Sequence, residues 1–76
     1  MEQYLLMQDS NSPCLVIVDT VNGRYAVRNA DTTGLTFSNG EEALAWIQQN
    51  WHSNLFVNPE EYSHLIQAIQ QELISS

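Results

Sequence analysis

Residues 14–29 read CLVIVDTVNGRYAVRN: two β-rich runs on either side of Asn22-Gly23. No other stretch restricts the fold as much. Asn and Gly both tolerate the positive φ of a type I′ turn, so the dipeptide predicts a hairpin with a two-residue loop. That loop would set Thr20 opposite Tyr25, Val18 opposite Val27 and Val16 opposite Asn29. Side chains alternate along a strand, so one hairpin face would carry this set toward a core. The other face would carry Leu15, Ile17 and Asp19 beside Arg24, Ala26 and Arg28, with Asp19 opposite Ala26 and diagonal to both arginines.

The flanking segments add short strands and two helices. Residues 3–8, QYLLMQ, read as a strand, and the following DSNSP reads as a turn. DTTG at 31–34 is a second turn, after which Leu35-Thr36-Phe37 can form a short edge strand. Ser38 with Glu41, or Asn39 with Glu42, has capping-box spacing and starts a helix over about 39–51. Ala43, Leu44, Ile47 and Trp51 fall along one side of that helix, with Trp46 toward its flank. Asn58 is a good N-cap, Pro59 suits the first helical position, and Glu60 and Glu61 complement the positive helix end. Val57 and Tyr62 have the spacing of a hydrophobic staple. Tyr62, Leu65, Ile66, Ile69 and Leu73 then form an apolar stripe, with His64, Gln67, Gln71 and Ser75 on the other side. The expected fold is α+β: a small antiparallel β-meander of three or four strands, followed by two α-helices packed on one face. With no internal repeat or long linker, residues 1–76 are read as a single domain.

Composition narrows the function. Nine carboxylates face two cations, Arg24 and Arg28, for a net charge of −7. Direct nucleic-acid binding needs clustered Lys or Arg to neutralise phosphates, and docking on an anionic membrane needs the same, so neither is expected. The first residues, MEQYLLMQDS, lack the basic and apolar regions of a signal peptide, and no run is long and apolar enough to span a bilayer. Cys14 is the one cysteine and cannot form an internal disulfide, so a cytoplasmic location is expected.

Candidate chemical groups each have a simpler structural explanation. Glu61-x-x-His64 has a spacing that supplies metal ligands in helical bundles, but such a site needs a second pair and further carboxylates. Glu61 is also explained as a first-turn residue, and His52, the other histidine, sits in the connection between helices, so no metal is expected. Cys14 opens an apolar strand with no basic neighbour to lower its pKa, which describes an inert thiol rather than a nucleophile. The pairs Glu41-Glu42 and Glu60-Glu61 fall in first helical turns, where they complement the helix dipole. No phosphate loop, zinc-finger spacing or serine elbow is present, so neither a catalytic site nor a cofactor is expected.

The residues left over suggest an interaction surface. Leu15, Ile17, Arg24 and Arg28 share the outer hairpin face, and Trp46 is a further candidate because exposed aromatics are enriched in binding hot spots. The expected function is that of a small acidic, non-enzymatic accessory or regulatory protein that binds another protein, with a homodimer as one form of that contact. One alternative is an acidic inhibitor that mimics nucleic acid toward a basic partner. Another is an enzyme or small-ligand binder with a pocket lined by Tyr25, Trp46, His52 or Tyr62.

Overall fold

A computed structural model describes residues 1–75. It contains a four-stranded antiparallel sheet in the order β1-β2-β3-β4, followed by two helices. The strands are β1 (Glu2–Leu6), β2 (Pro13–Asp19), β3 (Arg24–Arg28) and β4 (Gly34–Thr36). The helices are α1 (Gly40–Asn50) and α2 (Pro59–Ser75), joined through a short 3-10 turn at Ser53–Leu55. This is the expected α+β meander, with the short fourth strand present.

The central hairpin differs from its expected register. Val18 lies opposite Tyr25, Val16 opposite Val27, Ile17 opposite Ala26 and Asp19 opposite Arg24. The loop is the wider Thr20–Gly23, not Asn22-Gly23 alone. Asp19 supplies the physical reason, because its carboxylate accepts hydrogen bonds from the Val21 and Asn22 amides (both 3.1 Å) and from Asn22 Nδ2 (2.8 Å). These bonds hold a turn in which Gly23 takes the left-handed conformation (φ 68°) and Asn22 does not. Every partner on β2 moves by two residues, an even step, so each side chain stays on its expected face.

A second turn closes β3 onto β4. Asn29 donates its amide to the Thr33 carbonyl, and Asp31 accepts from the Thr33 amide and hydroxyl (3.1 and 2.6 Å). Thr32, not the following glycine, takes the left-handed conformation (φ 72°), which is unfavourable for a β-branched residue. Gly34 is thus free to begin β4, where its missing side chain shapes the outer face.

The helix starts follow local chemistry. Asn39 caps α1 by accepting from the Glu42 amide (2.8 Å), while the Glu42 carboxylate reaches back to the Ser38 amide (3.3 Å). Asn58 caps α2 by accepting from the Glu60 amide (3.2 Å). The expected Val57–Tyr62 staple is not formed: Val57 remains exposed, and Tyr62 stacks instead on Phe56 at 5.9 Å. Phe56 prevails because its ring is drawn fully into the core, whereas Val57 donates its amide to the Leu6 carbonyl (2.9 Å) and points outward.

Both helices pack on one sheet face. Leu5, Cys14, Val16, Val18 and Val27 from the sheet meet Ile47, Trp51, Phe56, Leu65 and Ile69 in a common core. Phe37, Trp46, Trp51, Phe56 and Tyr62 add an unbroken run of ring contacts along its side, with centroids 5.6–6.3 Å apart. α1 starts close against this core because residue 40 is glycine. A Cβ there would overlap the Leu73 side chain of α2 and touch Val18.

The two sheet edges differ. The segment after α1 is stitched to the end of β1, with Gln8 donating to the Leu55 carbonyl and Val57 to the Leu6 carbonyl, each at 2.9 Å. The Gln8 side chain bonds two further carbonyls of this segment, those of Asn54 and Phe56. β4 is the last strand at the opposite edge, and all its residues are exposed. Among the described residues, no helix is long and apolar enough to cross a membrane.

Candidate interaction surface

Alternation places a second set of side chains on the sheet face away from the helices. They are Glu2, Tyr4 and Leu6 on β1, Leu15, Ile17 and Asp19 on β2, Arg24, Ala26 and Arg28 on β3, and Gly34 and Thr36 on β4. Among the described residues, no helix or strand lies over this face, because both helices occupy the other one. Four of the residues singled out from sequence, Leu15, Ile17, Arg24 and Arg28, therefore share one surface.

A groove of about 340 Å³ opens there, lined by Leu15, Ile17, Ala26, Val27, Arg28, Gly34, Leu35 and Thr36. Its origin is the sequence of side-chain sizes across the ladder. Leu15 and Ile17 form a wall, while Ala26 and Gly34 leave the floor low. A Cβ added at Gly34 would come no closer than 3.9 Å to any neighbour, the Val27 carbonyl oxygen. Leu15 is 9% exposed even without a covering element, because it sits between Tyr4 and Arg28 in the ladder. Half-exposure was expected of it, whereas Ile17 is indeed half-buried.

The charges differ in detail from expectation. Asp19 faces Arg24, not Ala26, and its carboxylate is turned into its own loop. Hydrogen bonds from Asn22, then from the Val21 amide, hold its pKa below the usual carboxylate value. Among the described residues, the one ion pair joins the Met1 amine to Glu72 at 3.7 Å, so Arg24 and Arg28 are exposed without a carboxylate partner.

The remaining candidates lie elsewhere. Trp46 is on α1, half-buried between Phe37 and Trp51, and does not join the groove. Cys14 is fully buried on the core face, where burial pushes its thiol pKa up and the Ala30 amide draws it back in part. His52 and His64 are exposed. Among the described residues, no three His, Cys, Asp or Glu side chains come together as metal ligands. Tyr25, Trp46 and Tyr62, considered for a small-ligand pocket, pack against the core, and the groove lies on the opposite side of the sheet.

Sequence reasoning missed Tyr4, Gly34 and Thr36 as parts of this surface. The signal was partly available: carrying the hairpin's alternation across to β4 puts Thr36 beside Ala26. Gly34 read only as a turn residue, because the left-handed backbone of Thr32 could not be foreseen. No known protein family, no curated protein and no solved structure matches the chain.

Proposed function

We propose that this chain is a non-enzymatic accessory protein that works by binding another protein through the outer face of its sheet. The observation that carries this reading is the groove beside Leu15 and Ile17, on a sheet face that no described element covers. Arg28 lines it and Arg24 lies on the same sheet face, the chain's two cations in a molecule of net charge −7. Apolar surface with a charged rim is the composition expected of a protein interface, in which the apolar part supplies affinity and the rim supplies selectivity.

The test is a matched affinity capture from source lysate with wild type, Ile17→Asp and, as a surface control, His64→Asp. Ile17 is half-buried and His64 exposed, so both variants keep the fold, which circular dichroism checks. Loss of a specific partner with Ile17→Asp alone supports the reading. Equal capture by all three proteins refutes it. Salt separates this reading from the acidic-inhibitor alternative, since charge-driven binding to a basic partner weakens as salt screens it, while apolar contact persists.

A further inference from the structure

The outer face has two unlike halves. On β1 and β2 its side chains are large and apolar, with Tyr4 58% and Leu6 38% exposed, and Leu15 and Ile17 beside them. Glu2 and Asp19 make this half acidic. On β3 and β4 the side chains are small, Ala26, Gly34 and Thr36, and the charged residues are Arg24 and Arg28. One half is raised and acidic; the other is recessed and basic.

We propose that a second copy of the same chain fills this recess, outer face against outer face, about a twofold axis running along the strands between β2 and β3. The proposal deepens the reading above and rests on it, naming the partner for that surface. A rotation about this axis exchanges the halves, so each raised half lies over a recessed one. Residues keep their level along the strands, which brings Ile17 over the partner's Ala26 and Tyr4 over the partner's Gly34. The same operation sets the Asp19 end over the partner's Arg24. In these three contacts large meets small and acid meets base, each occurring twice as a self-complementary twofold interface requires, while Leu15 lies over the partner's Arg28 and Glu2 over the partner's Thr36.

The second copy is favoured over an unrelated occupant because this chain itself carries the matching ridge. Two sheets packed in this way form an aligned sandwich about 10 Å thick, a common arrangement for antiparallel sheets. Four strands spaced about 4.8 Å apart, each about five residues long, give a patch of about 19 by 17 Å. Such a patch, about 320 Å² on each copy, lies below the usual size of a stable interface, so the contact is a weak one and the dimer dissociates on dilution. Each copy's charge of −7 opposes the approach, which makes the local opposite charges important for orientation.

Sedimentation equilibrium from micromolar to millimolar concentration tests this. The wild-type mass is expected to rise from 8.6 kDa toward twice that value. Gly34→Tyr, whose Cβ would meet nothing closer than the Val27 carbonyl oxygen at 3.9 Å, fills the recess and should weaken association about tenfold or more. The double variants E2R/D19R and R24E/R28E each reverse the charge of one half and, with folding checked by circular dichroism, should also weaken self-association. Mixing those two proteins restores opposite charge at both contacts and should recover a heterodimer.

A wild-type mass fixed at 8.6 kDa, or a Gly34→Tyr protein that associates like wild type, overturns the proposal. No recovery on mixing overturns the facing of the two halves. If wild type stays monomeric while Ile17→Asp still loses its captured partner, the dimer is wrong and the accessory reading stands. If capture is also unaffected, both fall.

Discussion

The two faces of the sheet are built from alternating residues of the same strands, yet the helices cover only one of them. On the inner face, Leu5, Cys14, Val16, Val18 and Val27 are at most 1% exposed and meet both helices. On the outer face, Tyr4 and Leu6 are well exposed, and Ala26 and Gly34 leave a groove. β2 is apolar on both sides, a pattern usual for a strand buried on both faces. Here only one face is covered within the described residues. Burial on the inner face holds the small domain together, so side chains on the outer face are free to be selected for contact with another molecule.

The comparison predicts unequal sensitivity. The largest effect is expected from Phe56→Ala, which removes a fully buried ring in contact with Trp51 and Tyr62, and should cost about 3–5 kcal/mol. Tyr4→Ala on the outer face should change stability by less than about 0.5 kcal/mol. Urea unfolding of both variants checks this contrast, and a similar loss for the two would mean that the outer face also carries the fold. For such a test, Ile69, fully buried, is a better core position than Ile66, which is half-buried.

A smaller effect is expected where the helices close over the inner face. Gly40→Val forces a side chain against Leu73 and Val18 and should destabilise by about 1–3 kcal/mol. Leu73→Ala in the same chain should recover part of that loss. If the two losses simply add, Leu73 is not the group that limits the approach of α1.

The smallest effect concerns pH and belongs to the turns rather than to either face. Hydrogen bonds chiefly from Asn22 to Asp19 and from Thr33 to Asp31 hold both carboxyl groups below their ordinary value of 3.8. A lowered folded pKa means that the unfolded chain binds protons first. The stabilisation is therefore present above about pH 3.8 and is lost as pH falls through the lower folded values. Acid titration of stability for wild type against D19A/D31A measures it. The double variant should be less stable near neutral pH and less sensitive below pH 4. An unchanged acid slope would show that other groups govern acid unfolding.

Much of this architecture is legible in local sequence. Alternation over 14–19 and 24–28 assigns each hairpin residue to a face, and Asn39 and Asn58 mark the two helix starts because capping needs only one side chain and nearby amides. The apolar stripe on α2 is likewise read from helical period alone, and Leu65 and Ile69 are its buried centre. The surface around Leu15, Ile17, Arg24 and Arg28 was partly legible for the same reason: parity survives an even shift in register.

What alternation could not determine was the register itself, because Asp19 chooses the wider loop by bonding amides two and three residues ahead. Nor could it show that Trp46 is held between Phe37 and Trp51. By itself, the sequence determined which side chains share a face, where the helices begin and where the two positive charges fall, since period, capping and composition are local properties. Only the tertiary structure decided that one apolar face is covered and the other open, and that Ala26 and Gly34 adjoin as a recess, because those depend on residues far apart in the chain packing together.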